Sequence, residues 1–229
     1  MNAPLADIPG FFDRRSLVWS FSLLHAFRDI CAHQAEARYV TKTIKFTETP
    51  QTKWGNEVHS AFEHRIGGNK PLPLEMQPWE KYAKGFDGRG AVAEQWFYVD
   101  TDGRACERFD NSKFGHGKLD LTIVNIETAY IGDWKTGKSA YEDPFELEVG
   151  AVLLHARYPK LKKIVGQYFW LAEDRPSKLY DLSDTAKTWR EICSIMNTVY
   201  NYRKLGEFPK KTSGLCGWCQ RYDCSENPL

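Results

Sequence analysis

One stretch constrains this chain more than any other: GKLDLTIVNIETAYIGDWKTGK, from Gly117 to Lys138. It reads as two short strands and a tight turn. From Lys118 to Val124, Leu119, Leu121 and Ile123 are expected on one face, with Asp120, Thr122 and Val124 on the other. Asn125 to Thr128 supplies turn formers. The second strand is expected from Tyr130 to about Lys135. A turn centred near Ile126–Glu127 sets Asp120 nearly opposite Asp133, and facing Cβ atoms on antiparallel strands lie roughly 5 Å apart. Asp133 and Lys135 are two positions apart and share a face. Two carboxylates and an ammonium thus converge on one patch of sheet.

Two acids this close repel unless a cation sits between them. Mg²⁺ and Mn²⁺ prefer hard oxygen ligands. A lysine beside them can orient or deprotonate a water and steady charge on a phosphate. Acids, lysine and metal together would suit phosphodiester hydrolysis. The bland reading is a surface hairpin whose Asp–Lys pairs are solvated ion pairs, which are weak and common. The short D-x-K element alone does not separate the two.

At 229 residues the chain is long enough to bury a core, and it is expected to be one domain. That domain divides into an N-terminal helical part (16–66), a catalytic sheet core (91–171) and a C-terminal helix with a cysteine tail (183–229). A net charge of +1 argues neither for nor against nucleic acid, so any such contact needs a local basic patch. No run of 18 apolar residues and no apolar secretory segment is visible, so a cytoplasmic protein without membrane contact is expected. Six cysteines in that compartment suggest metal binding or plain thiols more than disulfides.

In chain order, Met1 to Arg15 reads as a loose leader. SFSLLHAFRDICAHQAEARYV, from Ser20, is expected to be one helix capped by Ser20 or Ser22, with Cys31 a small buried apolar residue. Gly55 to Ile66 is expected to be a second helix, with Val58, Ala61 and Phe62 inward and His59 at the edge of that face. A lone helical histidine is usually structural or solvated. Residues 67–90, rich in proline and glycine, read as a loop. Trp79, Tyr82 and Phe86 pin it to the core, or with the neighbouring lysines and arginine meet nucleic acid. Ala91 to Val99 and Lys163 to Leu171 are expected strands, and Glu94 on the first, taken by itself, reads as an exposed strand glutamate. The helical spacing between hairpin and last strand implies a parallel crossover and hence a mixed sheet. Ser183 to Leu205 is an amphipathic helix ended by Gly206, with Cys193 packed inward.

The tail carries the second strong signal, CGWCQRYDC, with Cys216, Cys219 and Cys224. Cys-x-x-Cys brings two thiolates to one metal and a third follows five residues on, so such a site needs a fourth ligand from elsewhere.

In order and spacing, GKLD, DWKTGK and the Gly-x-x-x-His of Gly55–His59 resemble the core of the PD-(D/E)XK nuclease superfamily. The likeness is greatest to the branch that holds the RecB nuclease domain and the CRISPR-adaptation exonucleases, and it covers most of the chain. It implies an α/β, restriction-endonuclease-like fold, a central mixed sheet flanked by helices. It implies that His59, Asp120 and Asp133, with the Trp134 carbonyl, hold Mg²⁺ or Mn²⁺ and that Lys135 positions the attacking water. Glu94 matches an acidic position of the family, either a ligand or a residue orienting one. The family's Gln-x-x-x-Tyr is replaced here by Glu146 and Gly150. The resemblance also makes Cys31 the fourth partner of Cys216, Cys219 and Cys224 around a [4Fe–4S] cluster, with zinc or no metal as alternatives. The implied activity is DNA hydrolysis, exonucleolytic on single-stranded or end-opened DNA, in recombination, repair or replication, with a protein partner from those processes conceivable. A catalytically silent DNA- or partner-binding member and a structure-selective endonuclease are the rivals. A free-standing nuclease of this size would suit a phage, acting then in the host cytoplasm.

Overall fold

The computed structural model describes residues 17–140 and 142–227. The leader expected over Met1 to Arg15 lies outside the described residues.

Strand β1 (Val92–Asp100), β2 (Lys113–Val124) and β3 (Thr128–Lys135) pair antiparallel in succession. Helix α5 (Phe145–Arg157) then carries the chain over to β4 (Lys163–Trp170), which runs parallel to β3. Two short strands not anticipated from sequence, β5 (Arg175–Pro176) and β6 (Tyr180–Asp181), pair antiparallel with β4. The result is a six-stranded sheet, mixed in direction and flanked by helices as expected. The parallel step follows from the helical crossover, since a short turn can join only antiparallel neighbours.

Each face of the sheet carries its own core. On one, α5 and α6 (Thr185–Leu205) bury Leu147, Leu154, Trp189, Ile192 and Met196 against Phe97, Leu119 and Ile131. Cys193 is buried here, as anticipated. Gly150 is needed for this packing, because a Cβ there would stand 2.8 Å from Leu119 Cδ2. On the other face, α3 (Pro50–Gly68) starts at a Thr49/Thr52 capping box and buries Val58 and Phe62 against Leu121, Trp134 and Phe169.

Several expectations need correction. The N-terminal helix is not continuous. α1 (Phe21–His25), capped by Ser20, runs into a π-helical turn over Ala26–Ile30, and the chain is extended at Cys31 (φ −157°, ψ 118°) before α2 (Ala32–Ala35). Cys31 is half-buried, at a break rather than on an apolar stripe. Residues 67–90 hold a 3₁₀ segment, Leu74–Trp79, and α4 (Glu80–Lys84). Their Trp79, Tyr82 and Phe86 pack on the α3-side core, so the pinning role prevails.

The hairpin face assignment is also revised. Leu119 and Leu121 do not share a face. Leu119 joins the core under α5 and Leu121 the core under α3. The alternation breaks at Asp120, beside Glu94 of β1, whose φ of +53° lies in the left-handed region that non-glycine residues rarely enter. No helix among the described residues is long and apolar enough to cross a membrane.

Candidate active site

The hairpin register brings the two acids together. Leu121 pairs with Gly132, so Asp120 and Asp133 stand at the next step of the same ladder. There the backbone pairing gives way to a side chain, as Asp120 Oδ2 accepts the Trp134 N–H at 3.0 Å. The acid is therefore fixed by its partner strand. Both carboxylates are buried, Asp120 9% and Asp133 8% exposed, which a solvated surface hairpin would not show.

Helix α3 supplies the imidazole. The Phe62 ring stacks on the Trp134 ring at 4.0 Å, and His59 lies one turn earlier on the same helix. His59 Nδ1 reaches Asp120 Oδ1 at 3.2 Å and Glu94 Oε1 at 3.1 Å. The ligand atoms of His59, Glu94 and Asp120 lie within 4.8 Å of one another. Glu94 is thus buried in the group and is not an exposed strand glutamate; its other oxygen is ion-paired with Lys118 Nζ.

Lys135 points into the patch. Its Nζ lies 2.9 Å from Asp133 Oδ1 and is also ion-paired with Glu146 of α5. Tyr168, opposite Asp133 on β4, sets its ring 5.4 Å from the same ammonium. A cleft against α5 is lined by Lys118, Asp120, Asp133 and Glu146. Gly150 lines it as well, and its neighbours leave no space for the tyrosine that the resemblance would place there.

The charges are strongly coupled. Burial would lower the His59 pKa, but hydrogen bonds to Asp120 and Glu94 outweigh it and push it up to about 10. Burial raises Asp133, with Asp120 adding to the effect and Lys135 opposing it. Burial and then Asp133 raise Glu146. Burial alone would lower Lys135; Asp133 and Glu146 overcome it and hold the ammonium charged. Glu94 is lowered, because His59 and Lys118 outweigh its burial.

The donor set suits a hard or borderline divalent cation, since it offers carboxylate oxygens and one imidazole. Asp133 Oδ1 and Glu94 Oε2 are buried and accept no directed hydrogen bond among the described residues, only ion pairs with the nearby lysines. Sequence reasoning missed Lys118 and Tyr168. Lys118 was visible inside GKLD, two residues before Asp120, and Tyr168 follows from the parallel register that sets it against Asp133.

A second cluster lies at the other end of the chain's path. Cys31, Cys216, Cys219 and Cys224 line one pocket between the break after α1 and the tail. The backbone N–H groups of Lys211 and Ser213 point at Cys31 Sγ and Cys216 Sγ, each at 3.4 Å. Among the described residues these cysteines form no trio whose sulfurs lie within 4.8 Å of one another.

No family model matches the chain, and no curated protein does. Among solved structures, a protein from Eubacterium rectale, provisionally named an exonuclease, superposes with a TM-score of 0.52. It is 13% identical and the match covers 95% of this chain and 91% of that one, a likeness that shows the fold alone. The protein designated SSO0001 matches at a TM-score of 0.46 with 16% identity, over 90% of this chain and 86% of its own.

Proposed function

We propose that this protein is a metal-dependent deoxyribonuclease of the PD-(D/E)XK type. The observation that carries the reading is the convergence of Asp120, Asp133 and Lys135 from paired strands, with His59 and Glu94 closing the group. The exonuclease name borne by the Eubacterium rectale neighbour points the same way.

His59, Asp120, Asp133 and the Trp134 carbonyl would hold Mg²⁺ or Mn²⁺, with Glu94 as a further ligand or as the group that orients His59. The ion supplies Lewis-acid stabilisation of charge on the phosphate. Lys135, charged between Asp133 and Glu146, donates hydrogen bonds that orient the attacking water and face the scissile phosphate. Asp120 keeps its geometry through the Trp134 N–H, so the acid need not reorganise during the reaction. The substrate is DNA, single-stranded or with open ends, and the action is exonucleolytic. Cys31, Cys216, Cys219 and Cys224 would hold a [4Fe–4S] cluster with a structural role, since hydrolysis transfers no electron.

The purified protein should degrade end-labelled DNA in Mn²⁺ and stop on chelation. Asp133→Ala should lose activity by at least about 100-fold. Equal degradation by Asp133→Ala and the unaltered protein would remove the assignment.

A further inference from the structure

Beyond the acid cluster, the solvent face of the β1–β2 pair carries aromatic rings that the core does not use. Phe97 and Val99 turn inward and are buried. The alternate residues Trp96 and Tyr98 turn out, and Trp96 is 51% exposed. Their rings lie nearly parallel, 6.2 Å apart with 10° between planes. His116 faces Tyr98 across the ladder, with its ring 5.8 Å from Trp96 and 6.4 Å from Tyr98. Its buried Nδ1 has no hydrogen-bond partner among the described residues. Lys113 places its ammonium 5.6 Å from the Tyr98 ring centre.

This face runs into the candidate active site. Lys118 pairs with Trp96 in the strand register and forms an ion pair with Glu94. Trp96, His116 and Lys118 line the same cleft as Asp120 and Asp133.

We propose that Trp96 and Tyr98 form a base-stacking track that holds consecutive bases of a single nucleic-acid strand next to the acid cluster. The choice of nucleic acid as occupant rests on the nuclease reading above. Flat rings on a sheet, flanked by lysines, bind unpaired bases through π-faces that every base possesses. Bases inside a duplex already stack on one another and cannot offer those faces. The track would therefore select single strands without reading their sequence, and Lys113 would meet the backbone.

The test measures binding apart from cleavage. A fluorescent oligothymidine about ten nucleotides long, its abasic counterpart and a blunt duplex of equal length are titrated with protein in Ca²⁺. Tight binding of the oligothymidine is expected, with the other two at least fivefold weaker. Trp96→Ala should weaken oligothymidine binding by about fivefold or more and Trp96/Tyr98→Ala further, while abasic binding stays unchanged. Trp96→Phe, which keeps a ring, should restore most of the affinity and guards against a folding defect. The track is overturned if the abasic strand or the duplex binds as well as the oligothymidine. It is also overturned if the double variant binds like the unaltered protein, or if none of the three ligands binds, which would leave the rings to a protein partner. Nuclease assays separate the two readings. Ring-dependent binding without hydrolysis keeps the track and removes the enzyme, whereas hydrolysis with ring-independent binding removes only the track.

Discussion

At the scale of single residues, the site contrasts the groups proposed to hold a cation with the groups that keep them in place. Lys135 lies between Asp133 and Glu146, and its charge is kept by both acids. Lys135→Ala should cost about 10²–10⁴-fold in DNA hydrolysis, in line with the loss of a positioned proton-bearing group. Glu146→Gln keeps the shape but gives up one of the two acids; about a tenfold loss is expected, since orienting partners are worth less than the groups they orient. Single-turnover rates on a labelled strand check both. A Glu146→Gln rate equal to that of the unaltered protein would leave Glu146 a spectator. Asp120, Asp133 and Lys135 were legible in the sequence because a hairpin has period two and a register set by its turn. Glu94 was ambiguous for a physical reason. Its inward aim comes from a positive φ on a neighbouring strand, and nothing in an alternating pattern announces such a kink.

At the scale of elements, the site depends on α3 being in register with β3. The Phe62–Trp134 stack sets that register, and His59 follows one turn away. Truncating Phe62, which is fully buried, should destabilise the fold by about 3–5 kcal/mol. It should also weaken metal binding, because His59 would no longer be held against Asp120. Urea denaturation gives the first quantity and Mn²⁺ titration calorimetry the second. Full stability with unchanged Mn²⁺ affinity in Phe62→Ala would separate the stack from the site. The helices, the hairpin and the parallel crossover could be expected from apolar spacing and turn residues, since those signals are local. The two short strands β5 and β6 could not, because two-residue strands carry no periodicity of their own. The break at Cys31 was equally hidden. The apolar stripe continues through it, and only contact with the distant tail gives it a purpose: the His33 N–H bonds to the Pro209 carbonyl at 3.1 Å.

At the scale of the whole molecule, the tail returns to the N-terminal helices. Lys211 Nζ bonds to the Asp29 carbonyl at 2.6 Å, and Arg221 Nη1 bonds to the His33 carbonyl at 2.6 Å and pairs with Glu36. These contacts set Cys31 beside Cys216, Cys219 and Cys224 before any metal is considered. Closing so long a loop, with most of the chain between Cys31 and Cys216, is worth about 5 kcal/mol in the chain-entropy picture, because the open chain loses that freedom in its unfolded state. Without the closure the tail would be held by these hydrogen bonds, the half-buried Arg221–Glu36 ion pair and the Phe27–Phe208 ring contact, each a modest contribution. Protein purified without oxygen should therefore be brown and contain iron and sulfide. Cys216→Ser should lose that iron and melt roughly 10–20 °C lower, given that 1 kcal/mol shifts the midpoint of a chain this size by about 2–4 °C. The sheet core should remain folded, because its two apolar clusters contain none of the four cysteines. Thermal unfolding followed by circular dichroism, alongside iron analysis, checks the pair of effects. A Cys216→Ser protein that melts with the parent and binds as little iron as the parent would show that the clasp is made by the hydrogen bonds alone.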